Sequence, residues 1–152
     1  MRSADNILGW RSQFHRVERW FARLSEPVSD TEKLDFFLTY FINCYALTDW
    51  FIESGAISKE EMRPVISADA SMCLCADICN RSKHLVLTKN PKVDAWYQIA
   101  REYDPFDGTA RWFILSNGTK RDAYELATAC MEFWRRFVRD HPTLPETSTP
   151  SR

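Results

Sequence analysis

The stretch from Cys75 to His84 places several chemically competent side chains at helical spacing. Asp77, Asn80 and His84 stand at i, i+3 and i+7, and a helix that turns about 100° per residue puts them on one stripe. A carboxylate near an imidazole holds its tautomer and raises its basicity, and the neighbouring Lys83 supplies positive charge for a phosphate or carboxylate. Asp77, Asn80, Lys83 and His84 are therefore the candidate catalytic set.

The same stripe also fits an internal polar network. Asp77 or Asn80 would then hydrogen-bond neighbouring backbone, and His84 would cap the helix C-terminus. Because a buried polar cluster must be hydrogen-bonded under either interpretation, the pattern alone does not choose between a site and a structural network.

A second pair of carboxylates, Asp49 and Glu53, lies one turn apart on the preceding long helix. The pair would complete an acid–base set with His84 if the two helix faces met. Arg81 is the arginine nearest before His84, and Asp49, Glu53 and Arg81 form the candidate binding set. The sequence has no nucleophile elbow, glycine-rich phosphate loop or H-E-x-x-H motif. The motifs therefore do not decide whether this protein is an enzyme.

The five cysteines are odd in number and stand in apolar helical surroundings: Cys44, Cys73, Cys75, Cys79 and Cys130. They are predicted to be reduced core residues. A zinc site built from Cys73, Cys75, Cys79 and His84 is disfavoured, because the first two are two residues apart on a helix and point in different directions. We therefore predict neither a metal nor a cofactor.

The composition predicts one soluble domain. The chain has 152 residues, 45% of them hydrophobic, 14% aromatic and only four of them glycine, which favours a single core of long regular elements. A net charge of −1 exerts no global pull on nucleic acid. With no visible signal peptide and no uncharged span, we expect a cytoplasmic protein without membrane contact.

Apolar periodicity and capping residues predict five helices, in the order 6–24, 31–54, 59–66, 70–84 and 121–139. Ser29 or Asp30 is the expected cap of the second helix, Ser58 of the third and Asp69 of the fourth. The second helix is apolar around most of its circumference, which places it at the centre of a bundle or in an oligomer interface. A homodimer would let two motif helices face each other.

The region before the last helix changes character. Alternating residues from Val93 to Ile99 and the β-branched, aromatic run Arg111–Leu115 predict a β-hairpin around the turn residues 103–108, although Pro91 also suits a helix start. Residues 1–140 are then one domain, a four- to five-helix bundle with a β-hairpin inserted before the C-terminal helix. Residues 141–152, rich in Pro, Thr and Ser, are predicted to be a disordered tail.

Two motifs carry a resemblance. Phe41-Ile-Asn-Cys-Tyr-Ala-Leu-Thr-Asp49-Trp50 and Cys75-Ala-Asp-Ile-Cys-Asn-Arg-Ser-Lys-His84 resemble a group of uncharacterised small bacterial helical proteins with Asp-Trp and Asp-Ile-Cys-Asn-x-Ser-Lys-His motifs. More remotely the arrangement is similar to the HEPN superfamily. That resemblance implies a dimerising helical bundle, contact with RNA or nucleotide, a defence or toxin-like setting and a protein partner encoded nearby.

The sequence departs from HEPN ribonucleases at one point. Those enzymes carry an arginine about two turns before the histidine, whereas Asp77, Ile78 and Cys79 stand there in this chain. The missing arginine would have stabilised a transition-state phosphate, and its absence disfavours a ribonuclease. The alternative function is a non-enzymatic, dimeric structural or partner-binding module whose polar motif is an internal hydrogen-bond network.

Overall fold

The computed structural model describes residues 9–83, 97–116 and 118–145. Within them the chain is mainly helical, with a small antiparallel sheet before the last helix. The helices are α1 (Trp10–Arg23), α2 (Asp30–Glu53), α3 (Lys59–Ser67), α4 (Ala70–Lys83) and α5 (Ala123–Asp140), and the strands are β1 (Tyr97–Tyr103), β2 (Ala110–Ser116) and β3 (Thr119–Asp122).

The helix starts follow the predicted capping residues. The Ser29 hydroxyl accepts a hydrogen bond from the Glu32 amide, and the Glu32 carboxylate accepts one from the Ser29 amide, which makes a capping box at α2. Ser58 at α3 and Asp69 at α4 accept from the amide three residues on. Each predicted boundary of α2 and α3 is confirmed to within one residue. The predicted first residues of α1 and the predicted end of α4 at His84 lie outside the described residues.

Helix α2 is the centre of the bundle. It packs against α1, α4 and α5 and touches α3, so its wide apolar circumference is used inside one chain. The ring of Phe51 lies 4.7 Å from that of Trp10 and 5.5 Å from that of Trp134, both roughly stacked. One aromatic stack therefore joins α1, α2 and α5.

The predicted hairpin is part of a three-stranded sheet of order β1-β2-β3. The prediction of two arms was incomplete, because Gly118 (φ 72°) lies in a tight turn that leads into a third strand. The last helix, predicted from about Arg121, begins two residues later at Ala123: Arg121 belongs to β3, and Asp122 caps the helix by accepting from the Glu125 amide at 2.9 Å. The portion of the first predicted arm before Tyr97 lies outside the described residues.

The sheet is fixed to the helices at its two edges. Arg101 and Tyr103 of β1 both bond the Asp30 carboxylate at the start of α2, the tyrosine at 2.8 Å. Arg121 of β3 donates to the Ser71 hydroxyl on α4 at 2.7 Å. Ile114 and Ser116 of β2 are buried beneath, so the sheet and the bundle share one core.

Residues 104–109, here the hairpin loop, join β1 to β2 in solvent. The Asp104 carboxylate accepts from the Phe106 amide at 2.7 Å, and the Asp107 carboxylate accepts from both the amide and the hydroxyl of Thr109. Gly108 adopts φ 72°, which glycine reaches without strain. Phe106 at its tip is 97% exposed.

The first residues of the predicted tail contact the bundle. The His141 ring stacks on Phe137 with centroids 4.3 Å apart, Leu144 packs against the core, and the Trp10 indole donates to the Pro145 carbonyl at 2.8 Å. Residues 146–152 lie outside the described residues.

Candidate functional sites

The structure separates the members of the predicted stripe by depth. Asp77 is 1% exposed, whereas Asn80 one turn later is exposed. Lys83 ends α4, and His84 lies outside the described residues. Among the described members, Asp77 and Asn80 do not open onto one common surface.

The predicted binding residues lie on two helices and differ in exposure. Asp49 and Glu53 are both exposed on α2, and Arg81 is partly buried on α4. Burial, and then the negative charges of Asp49 and of groups on α4 that include Asp77, raise the pKa of Tyr45. Tyr45 therefore lies within electrostatic range of Asp49 on its own helix and of Asp77 on α4.

Three cysteines that the sequence distributes over 86 positions (44 to 130) come together in the core. The sulfurs of Cys44 (α2), Cys75 (α4) and Cys130 (α5), here the thiol cluster, all lie within 4.8 Å of one another, and each residue is fully buried. All five cysteines are free and buried, as predicted from their surroundings. Their meeting was not predicted, because it depends on how three helices pack.

Two aromatic residues brace the thiol cluster from opposite helices. Tyr40, one turn before Cys44, donates to the Ala127 carbonyl on α5 at 2.7 Å. Trp134, one turn after Cys130, donates to the Cys44 carbonyl on α2 at 2.9 Å. These reciprocal bonds, both buried, fix the separation of α2 and α5 and so the positions of the two sulfurs.

The thiols themselves are hydrogen-bonded. Cys75 Sγ donates to the Phe41 carbonyl at 3.4 Å, and Cys130 Sγ donates to the Ser71 carbonyl at 3.5 Å. Burial opposes ionisation of Cys44, but hydrogen bonds from Cys130, Cys75 and other neighbours outweigh it and lower the pKa of Cys44. Burial raises the pKa of Cys75, and the bond to Cys44 raises that of Cys130.

A cleft opens where the sheet meets the helices. It has a volume of about 390 Å³ and lies between the end of α1, the first turns of α2, the strand β2 and the start of α5. Its lining comprises Leu24, Ser25, Lys33, Phe37, Ala110, Arg111, Trp112, Asp122, Tyr124 and Glu125. The size falls within the ordinary range for small-molecule sites.

The cleft combines aromatic walls with two cations. The Phe37 and Trp112 rings lie 6.4 Å apart, and Tyr124, itself 42% exposed, is backed by a stacked Phe21 at 5.6 Å. Lys33 donates to the Leu24 and Glu26 carbonyls, each at 2.7 Å, and burial lowers its pKa. Arg111 is exposed at the rim. Aromatic faces beside cationic groups suit a planar ligand that carries an anionic group.

None of the residues in the predicted catalytic and binding sets lines this cleft. The cleft was not predicted, because its lining residues are distant in the sequence and meet only when the helices and the sheet pack together.

Comparisons with known proteins gave no match: no family model, no curated protein and no solved structure is similar to this sequence. In the parts of the chain that the structure describes, no helix is both long and apolar enough to cross a bilayer.

Proposed function

We propose that this protein is a HEPN-like helical bundle that binds a nucleotide, free or at an unpaired position of RNA, in the cleft between α2, β2 and α5. The observation that supports this is the joint presence of stackable rings and cationic groups in one concavity. A base has a π-face that aromatic side chains accept whatever its sequence, and a phosphate pairs with lysine and arginine.

Each part of a nucleotide has a counterpart in the lining. Trp112 and Tyr124 offer ring faces for the base. The exposed Arg111 supplies a positive charge for a phosphate at the rim, and the carboxylates of Asp122 and Glu125 can accept N–H groups of a base edge. Because the carboxylates repel phosphate, the base is expected towards the start of α5 and the phosphate towards Arg111.

The test is titration of the full chain with AMP, GMP, CMP and UMP and with the matching nucleosides, monitored by calorimetry. We expect saturable binding of at least one nucleotide and weaker binding of its nucleoside. Arg111→Ala should raise the Kd about tenfold, equivalent to about 1.4 kcal/mol, and Trp112→Leu should raise it at least as much.

Arg136→Ala is the matched control, since Arg136 is an exposed arginine on α5 that does not line the cleft. It should leave the Kd unchanged. Absence of saturation by all four nucleotides and by a short single-stranded RNA would refute the proposal. Equal losses in Arg111→Ala and Arg136→Ala would reduce any binding to a general charge effect.

A second candidate function is a dimeric structural or partner-binding module. The burial of Asp77 favours it, because a carboxylate at that depth suits an internal network better than a catalytic surface. A homodimer with facing motif helices belongs to this candidate. Sedimentation of the full chain at micromolar concentration decides it: a monomer rules the facing motifs out, and a dimer supports them.

A further inference from the structure

The thiol cluster has the composition of a site for a soft metal ion. Thiolates select Cu(I), Zn(II) and iron–sulfur centres over hard cations. Cys44, Cys75 and Cys130 come from three helices and converge on one point. Core cysteines that serve only as small hydrophobes have no need to converge, and Cys73 shows the difference: its sulfur bonds the Ile66 and Ser67 carbonyls at 3.5 and 3.6 Å and lies outside the cluster.

The spacing of the sulfurs matches metal coordination. Three sulfurs at a typical metal–sulfur distance of about 2.3 Å around one ion are about 4.0 Å apart when the ion lies in their plane. The sulfurs here lie within 4.8 Å of one another. Small side-chain rotations that move each sulfur by a fraction of an ångström therefore bring them to the spacing that coordination needs. The weak S–H···O bonds of Cys75 and Cys130 are exchanged for metal–sulfur bonds.

The number of ligands selects the ion. Zinc in structural sites takes four ligands, and a three-ligand zinc site keeps an open position for water. The cluster is fully buried, and the described residues offer three sulfurs and no histidine or carboxylate within the group. Cu(I) accepts three thiolate ligands in a plane without a fourth. We propose that Cys44, Cys75 and Cys130 form a trigonal Cu(I) site.

Binding replaces S–H bonds with Cu–S bonds and releases the thiol protons to solvent. The copper stays Cu(I) and the sulfurs stay at the thiol level, so no electron is transferred. The braces from Tyr40 and Trp134 hold α2 and α5 at a fixed separation in the free protein, which lowers the cost of ordering the ligands.

The experiment uses the full chain, refolded under anaerobic, reducing conditions in the presence of the coloured Cu(I)–bicinchoninate complex, because the sulfurs are buried once the protein folds. We expect the protein to withdraw a single Cu(I) per chain and to gain thermal stability. X-ray absorption of the loaded protein should show sulfur ligands only, three in number. Zn(II) offered in the same way against a chelator should not be retained.

The chain supplies its own matched controls. Cys75→Ala should lose copper, whereas Cys73→Ala and Cys79→Ala on the same helix should keep it. Equal uptake by all three variants, a coordination shell with nitrogen or oxygen, or no uptake by the wild type overturns the proposal. The X-ray absorption result stands by itself if a cluster variant fails to fold. Nucleotide binding in the cleft is independent of every outcome.

Discussion

The thiol cluster and the hairpin loop both hold polar side chains in fixed hydrogen bonds, but at opposite depths. The cluster is fully buried and assembled from three helices. The hairpin loop is exposed and closed by residues within a few positions of one another. Water competes for every hydrogen bond of the loop and for none in the cluster. A hydrogen bond of the same geometry therefore contributes more to the free energy of folding in the cluster than in the loop. Chemistry that needs fixed distances therefore belongs inside this bundle.

The largest expected effect comes from a buried carboxylate beside that interior. Asp77→Ala should lower the free energy of unfolding by about 3 kcal/mol, since a polar group at this depth is retained with partners that its removal leaves unsatisfied. Asn80→Ala, exposed on the same helix, should change it by less than about 0.5 kcal/mol. Urea denaturation measures both changes in the free energy of unfolding. Equal changes in the two variants would show that burial on α4 does not decide the cost.

The cluster itself is tested by additivity in the absence of metal. Cys44→Ala and Cys130→Ala should each cost about 1 kcal/mol, comparable to other small core deletions. Together they should depart from additivity by about 0.5 kcal/mol or more, because the two sulfurs lie within 4.8 Å of each other in one shared core site. The pair Cys44→Ala and Cys73→Ala should add within about 0.3 kcal/mol. Strict additivity in both pairs would mean that the sulfurs do not interact.

A buried hydrogen bond and an exposed ion pair give a comparison in which the expected losses of stability are smaller. Tyr40→Phe removes the buried bond to the Ala127 carbonyl and should cost about 1 kcal/mol. Lys120→Ala removes the exposed 2.5 Å ion pair with Glu102 and should cost under about 0.5 kcal/mol. Thermal denaturation ranks the two, and a larger loss for the surface pair would contradict the comparison.

The smallest effect is a titration in the hairpin loop. Hydrogen bonds from the Thr109 amide and then from its hydroxyl hold the pKa of Asp107 below the ordinary value of an aspartate side chain. A lowered carboxyl pKa stabilises the fold above the unfolded value, and that contribution is lost as the pH falls through the folded pKa. Thr109→Ala removes the hydroxyl but keeps the amide, so the pKa of Asp107 should rise part-way back towards its ordinary value. NMR of the Asp107 carboxyl carbon measures this change. Thr128→Ala, whose hydroxyl bonds Tyr124 on α5, should leave it unchanged.

Features that depend on residues close together in the sequence, such as helix caps, were predicted correctly. Ser29 was one of the two predicted caps of α2 and Asp69 the predicted cap of α4, and each accepts a hydrogen bond from the amide three residues on. The strand β3 was missed because Thr119-Lys-Arg-Asp has no apolar alternation, and its strand character comes from pairing with β2.

In the candidate sites, too, local features were predicted and contacts between distant residues were not. The spacing of Asp77 and Asn80 gave their helix but not their depth, since a helix of low amphipathicity has no obvious inner face. The thiol cluster and the cleft both require knowing which helices and strands touch, and a single sequence contains no record of contacts between distant residues. The sequence therefore predicted buried cysteines but not their meeting, which depends on the packing of α2 against α4 and α5, and it predicted none of the residues that line the cleft.

The aromatic stack through Phe51 gives the protein a built-in optical reporter. Trp10 and Trp134 are fully buried against one phenylalanine, and each belongs to a different helix. Detachment of either α1 or α5 exposes an indole to water and shifts its fluorescence to longer wavelengths. Assembly of the bundle can accordingly be timed by stopped-flow emission, without a dye and without altering a residue.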